Sequence, residues 1–154
     1  MNHEAMDRTR ESAGDPSLAV IREMVRAYQA FSEFSAADIK RFGLTGPEFD
    51  VLVTLGNRPG MTFKDIGENT LITKTTLTGV VDRLEKKNLV QRRACSEDRR
   101  CIRVVLTDKG DQVFRQVFPE HVARLSERLS EMAAEERDQL LAGLKRLRKV
   151  LSAS

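Results

Sequence analysis

No apolar run in the chain approaches the roughly 20 residues of a membrane span. The opening MNHEAMDRTRES is polar where a secretory signal would be apolar. The cytoplasm is therefore the expected compartment, with no membrane contact. Cysteine is scarce: Cys95 and Cys101 are the only two, too few for a disulfide scaffold. The two histidines, His3 and His121, lie far apart, so no ligand spacing for a closed metal site is visible, and neither metal nor cofactor is expected. There is no Gly-rich phosphate loop, no nucleophile motif and no carboxylate pair in a recognisable context, so an enzyme is not expected either.

What is present is charge. The 154 residues are 40 % apolar and 32 % charged, which fits one domain of ordinary size with long solvated helices. The net charge of +3 is modest, but its distribution is uneven. Residues 73–109 carry ten Lys/Arg against five acids, a net of +5. Residues 1–72 carry eight against eleven and residues 110–154 eight against seven. Positive charge confined to one block is the footprint expected for a polyanion.

Along the chain, residues 1–14 lack apolar periodicity and read as a disordered leader. Asp15-Pro16 starts a helix, Asp as N-cap and Pro at the first helical position. Its stripe of Leu18, Ile21, Met24, Val25, Tyr28, Phe31 and Phe34 reaches about residue 40. That stripe is richer than one small lobe needs, and a core shared within the chain and with a second copy accounts for it. Gly43 ends this region, and Leu44-Thr45-Gly46-Pro47-Glu48 opens a helix carrying Phe49, Val51, Leu52 and Leu55. The turn Asn57-Arg58-Pro59-Gly60 follows. Thr62 and Asp65 fit a capping box for a short helix with Phe63, Ile66 and Leu71 inward.

Thr73 then caps a longer helix running through Lys87. Leu77, Val80, Val81 and Leu84 share its buried face. Two helices joined by a short turn make a helix-turn-helix. The outward side centres on Thr75, Gly79, Asp82 and Lys86, flanked by Thr76, Thr78 and Arg83. Four threonines at positions 73–78 are a poor choice for helix stability. Short hydroxyls and a glycine instead let a helix sit deep in a major groove, with phosphate near its N-terminus. Asn88 suits the left-handed residue that ends it.

The runs VQRRAC and CIRVVL, joined by Ser96-Glu97-Asp98-Arg99-Arg100, read as a basic hairpin. With Cys95 paired to Cys101, Arg93 faces Arg103 and Gln91 faces Val105, while Val90, Ala94, Ile102, Val104 and Leu106 turn to the helices. Opposed arginines repel, which makes sense where an anion lies beside them. A helix from Thr107-Asp108 follows, with Pro119 expected to kink or restart it. A last helix from about Ala134 carries Leu140, Leu141, Leu144, Leu147, Val150 and Leu151, and its start lacks a Ser/Thr/Asp/Asn cap. Paired with the first helix, it suits a dimer interface.

The run ITKTTLTGVVDRLEKKNLVQR, followed by SEDRRCIRVVLTDKG, resembles the MarR (multiple antibiotic resistance regulator) family of bacterial transcription regulators. The resemblance is densest over residues 44–110. Asn88 stands where the family usually has Gly, and Gly79 where many members carry a longer side chain. The expected fold is mainly α with a small β-hairpin wing, a winged helix-turn-helix lobe flanked by N- and C-terminal dimerisation helices. Within one compact domain its parts are a leader (1–14), an N-terminal dimerisation helix (15–42), the DNA-binding lobe (43–110) and C-terminal dimerisation helices (111–154).

The resemblance implies a homodimer that binds a pseudo-palindromic double-stranded DNA operator. The helix from Thr73 enters the major groove and Arg99 or Arg100 the minor groove. The implied DNA-binding set is Thr73, Lys74, Thr75, Thr76, Thr78, Arg83, Lys86, Arg93, Arg99, Arg100 and Arg103. Asp82 and Asp98 are candidates for positioning the wing, Asp82 by pairing with a wing arginine. By the family's habit the protein is a repressor, released when a small aromatic or anionic effector binds between the dimer helices and the lobe.

Cys95 and Cys101 leave two readings open. Facing each other on the wing, near arginines that favour a thiolate, they are candidates for a thiol switch. Cytosolic disulfides are rare, however, and a reduced Cys is usually only a small side chain. The family's peroxide-sensing branch uses a Cys in the N-terminal helix, which this chain lacks. A regulator without a ligand is a further alternative. More distant is a winged-helix protein-interaction module, whose outward helix and wing would be apolar where these are basic.

Overall fold

The computed structural model describes residues 3–96, 98 and 100–153. The chain divides into two compact units, residues 1–50 and 51–154, with the boundary inside a helix. In the first unit, α1 (His3–Ala13) and α2 (Pro16–Lys40) precede the start of α3 (Gly46–Leu55). The helix α1 corrects the expected disordered leader: this stretch is rich in good helix formers, and local propensity needs no apolar periodicity to act. Asp15 caps α2 by accepting the Ser17 N–H at 2.7 Å. That bond holds the Asp15 carboxyl below its ordinary pKa. Most of the apolar stripe of α2 is exposed, including Leu18, Val25, Tyr28 and Phe31, whereas Asp38 and Ile39 near its end are buried. Asp38 accepts the Arg41 Nε–H at 2.9 Å. Gly43 turns the chain with φ +71°. Thr45 and Glu48 then cap α3 reciprocally, the Thr45 N–H donating to Glu48 at 3.0 Å.

The second unit opens on the rest of α3, with Val51, Leu52 and Leu55 buried. Asn57 (φ 58°) and Gly60 (φ 115°) take the left-handed backbone the next turn requires. They lead into β1 (Met61–Thr62) and α4 (Phe63–Asn69). The capping box is in place: Thr62 Oγ1 accepts the Asp65 N–H at 3.1 Å and Asp65 accepts the Thr62 N–H at 3.2 Å. The Thr62 hydroxyl also donates to the Asp65 carboxylate at 2.7 Å; that bond and the one from the Thr62 N–H, with weaker help from the Arg103 and Lys64 charges, hold Asp65 below its ordinary pKa. After the turn come α5 (Lys74–Lys86), β2 (Val90–Ala94), β3 (Ile102–Leu106), α6 (Asp108–Leu129) and α7 (Ala134–Leu151).

The expected hairpin register is observed pair for pair, from Val90 opposite Leu106 to Ala94 opposite Ile102. The sheet has a third strand, however, ordered β1-β3-β2, with Met61 opposite Val104. Two residues are too short to show alternation in sequence. Leu71 is also a correction: it is 82 % exposed in the turn between α4 and α5 rather than inward. Ala94 and Ile102, expected against the helices, are exposed because the hairpin overhangs them toward its tip.

The core of this unit joins Ile66 of α4, Leu77, Val80, Val81 and Leu84 of α5, Val90 and Val104 of the sheet, and Phe114 and Val117 of α6. Each such buried side chain contributes roughly 1.5–3 kcal/mol relative to exposure. Asn88, at φ 58°, ends α5. Thr107 ties that corner to α6: its hydroxyl donates to the Asn88 carbonyl at 2.7 Å and accepts the Gly110 N–H at 3.0 Å. Pro119 does not restart α6, which runs unbroken through it while Val117 and His121 on either side stay buried. The start of α7 has no hydroxyl or Asx cap; Glu136 accepts the Ala133 N–H at 2.8 Å instead.

Candidate nucleic-acid interface

The start of α5 is built by its own threonines. Thr73 caps the helix by accepting the Thr76 N–H at 3.4 Å, and the two hydroxyls lie 3.0 Å apart. With Leu77, Val80, Val81 and Leu84 fixed inward, Lys74, Thr75, Thr76, Thr78, Asp82, Arg83 and Lys86 are exposed. A side chain added at Gly79 would meet only the Arg83 guanidinium, at 3.6 Å. The fold therefore does not require glycine there.

The wing is fastened to this helix by Arg92, which sequence reasoning passed over as a positioning residue. It sits between Val90 and Ala94 on the inward face of β2, where an arginine among apolar neighbours was the available signal. Its backbone N–H donates to Glu85 at 3.0 Å and its side chain donates to Asp82 at 2.7 Å and to the other Glu85 oxygen. The guanidinium also lies 5.4 Å over the Phe63 ring. Partial burial opposes the charge, but the bonds and charges of Asp82 and Glu85 outweigh it and raise the Arg92 pKa. The wing arginine that Asp82 pairs with is thus Arg92, and Glu85 shares the task.

On the opposite face Arg93 and Arg103 are directly paired across the strands, both exposed. At the tip, Asp98 accepts the Arg100 N–H at 2.9 Å through its side chain and the Cys101 N–H at 3.0 Å through its carbonyl. Arg100 is exposed. Arg99 and Glu97 lie outside the described residues. Cys95 and Cys101 are joined by a disulfide across the end of the hairpin, Cα atoms 5.4 Å apart. The Cys95 N–H donates to the Cys101 carbonyl at 2.8 Å.

The arrangement is a helix of short hydroxyls and a hairpin of outward cations held together by one ionic clasp. Phosphate oxygens suit its cations, and base edges suit its threonines.

Comparison with known proteins matches residues 44–102 to a MarR family model. MhqR, an HTH-type transcriptional regulator of Bacillus subtilis (strain 168), is 32 % identical over 86 % of this chain and 92 % of its own. Sco3205, a MarR family transcriptional regulator from Streptomyces coelicolor solved in complex with DNA, is 25 % identical with a TM-score of 0.78, covering 89 % of this chain and 88 % of its own. BpsR of Bordetella bronchiseptica, solved in a study of the regulation of its DNA binding by 6-hydroxynicotinic acid, is 26 % identical with a TM-score of 0.74, covering 88 % and 94 %.

Proposed function

Because the chain belongs to the MarR family of transcriptional regulators, we propose that it is a homodimeric, cytoplasmic repressor. In this reading it binds a pseudo-palindromic double-stranded DNA operator and is released from it by a small aromatic or anionic effector. The observation that carries the DNA reading is the joint exposure of the Thr75–Thr78 face and of Arg93, Arg100 and Arg103 on a hairpin clasped to that same helix. Thr73, Lys74, Thr75, Thr76 and Thr78 start the major-groove helix, Arg83 and Lys86 follow its outer side, and the wing arginines, Arg99 among them, meet the adjacent backbone and minor groove. The DNA-bound Sco3205 structure supports this use of the fold.

Support for a dimer comes from apolar side chains that α7 leaves in solvent, Leu140, Leu141 and Leu144 each about half exposed. The effector class is supported by BpsR, whose DNA binding is regulated by 6-hydroxynicotinic acid. A salt titration of binding to duplex DNA tests the central claim. A complex that neutralises several phosphates weakens steeply as salt rises, by a slope of about 0.9 per phosphate in log–log form. A flat response overturns the DNA reading.

A further inference from the structure

The wing carries a feature that DNA recognition does not require: the Cys95–Cys101 disulfide closes the loop that presents Arg100. Each half of the bridge lines a cationic recess. Cys101 lines a cavity of about 630 Å³ with Phe63, Lys64, Glu68, Lys74 and Arg100 among its walls. Glu68 there lies 3.9 Å from Lys64, which leaves Lys74 and Arg100 to set the sign. Cys95 lines a second recess, on the other side of the hairpin, with Arg93 and Arg103. Both cysteines are half-buried, so the bridge is neither sealed in a core nor held away from charge.

We propose that Cys95–Cys101 is a reversible thiol–disulfide exchange site whose co-substrate is a small anionic thiol and its disulfide, admitted through the cavity beside Cys101. The linkage to DNA binding described below rests on the DNA-binding reading; the exchange site itself does not. An anionic thiolate, RS⁻, attacks the Cys101 sulfur. A new S–S bond joins R to Cys101, the Cys95–Cys101 bond breaks, and Cys95 departs with the electron pair beside Arg93 and Arg103 and takes a proton from water. A second RS⁻ attacks the sulfur of R in the mixed disulfide, releasing RSSR and the Cys101 thiolate, which is protonated in turn. Two RSH are oxidised to one RSSR while the bridge is reduced to two thiols, and RSSR drives the reverse.

The two states present different wings. With the bridge closed, Arg100 is flanked by the covalent link at Cys101 and held by the Asp98 hydrogen bonds. With it open, the hydrogen bonds act alone, and ordering Arg100 on DNA costs more conformational entropy. The oxidised form therefore binds DNA more tightly. By linkage, DNA in turn stabilises the bridge, a tenfold affinity ratio corresponding to about 30 mV in its potential.

The test uses the full-length oxidised protein and three small thiols differing in charge: 2-mercaptoethanesulfonate, 2-mercaptoethanol and cysteamine. Bridge opening is followed by mass after alkylation, with rates corrected for each reagent's thiol pKa. The anionic reagent is expected to react on the order of tenfold faster than the cationic one at low ionic strength. The gap should close in about 0.5 M salt and narrow in Lys74→Gln. Equal rates, or a faster cationic reagent, overturn the exchange site. In a second arm, oxidised and reduced protein are titrated onto duplex DNA, and the Cys95→Ser/Cys101→Ser double variant is expected to match the reduced form and ignore all reagents. Equal affinity of the two forms overturns the linkage. Failure of both forms to bind, with the charge order of the thiols intact, overturns the DNA reading and leaves the exchange site supported.

Discussion

The Arg92 guanidinium donates to the Asp82 carboxylate at 2.7 Å, across the gap between the inward face of β2 and the outer side of α5. Glu85, one turn further along α5, takes both the Arg92 backbone N–H and the other side of its guanidinium. The two elements proposed to meet DNA, the helix with its hydroxyls and the hairpin with its guanidinia, are therefore tied by one side chain outside the core they share. The pair is partly exposed, so its value lies in geometry more than in stability.

Arg92→Leu is accordingly expected to cost about 1–2 kcal/mol of folding stability, the scale of a partly exposed charge pair plus lost contact with Phe63. Its effect on DNA affinity should be larger than that of Asp82→Asn, which leaves Glu85 to hold the hairpin. Urea denaturation and duplex binding, measured on both variants, check this order. Equal binding losses would mean that Asp82 alone fixes the wing.

Gly110 occupies a contact that only glycine permits. A Cβ there would run into the backbone carbonyl of Leu89, the same carbonyl that accepts the Thr107 N–H at 3.1 Å. Gly110→Ala is expected to destabilise the fold by about 3 kcal/mol, as overpacking against rigid backbone does. Gly143, in α7, has nothing within 4 Å of an added Cβ. Gly143→Ala should stabilise the helix by up to about 1 kcal/mol. Opposite shifts of the denaturant midpoint are the readout.

The legible parts of this chain were those in which local chemistry and tertiary packing agree. Thr62 with Asp65, Thr73, Asn88 and the Arg93–Arg103 register each follow from a side-chain type at a fixed offset, and each is observed. Arg92 was hidden because charge alone suggested solvent; its inward role depends on Asp82 and Glu85 lying ten and seven residues away on another element. Strand β1 was hidden because its pairing energy comes from β3, some forty residues on. The state of Cys95 and Cys101 was open because sequence fixes their register but not whether the sulfurs bond.

Asp65 links the capping of α4 to pH. Hydrogen bonds from Thr62, aided by Arg103, place its folded pKa below the unfolded value. The stabilisation is therefore present above the unfolded pKa, about 3.9, and is lost as pH falls through the folded pKa. Asp65→Asn is expected to lower the urea midpoint at pH 7, by an amount that shrinks as pH falls through the folded pKa of the native carboxyl. A difference that persists undiminished into acid would assign the effect to packing instead of ionisation.

The apolar face of α7 offers a clean test of self-association. Leu144 is half exposed, so replacing it with Glu leaves the fold of the single chain without a buried charge. In a dimer built on this face the same charge is desolvated, at a cost of several kcal/mol. Leu144→Glu is expected to sediment as a folded monomer and to lose operator binding, because one half-site contact replaces two. A dimeric Leu144→Glu protein would move the interface elsewhere.

Arg100 and Thr75 separate the two ways in which this surface is proposed to meet DNA. Arg100 is an exposed cation at the tip, its backbone N–H held by Asp98; Thr75 is an exposed hydroxyl at the start of α5. If Arg100 neutralises one phosphate, Arg100→Ala weakens binding to all sequences alike and lowers the salt slope by about 1. If Thr75 touches a base edge, Thr75→Ala keeps the slope and changes which sequences are retained in a selection from random duplexes, with about 1–3 kcal/mol at stake for the base it reads. The roles can also come out reversed, with the slope falling for Thr75→Ala and base preference changing for Arg100→Ala. That result would place the wing tip in a groove reading base identity, and the first turn of α5 on the phosphates, where its N-terminal dipole already favours negative charge.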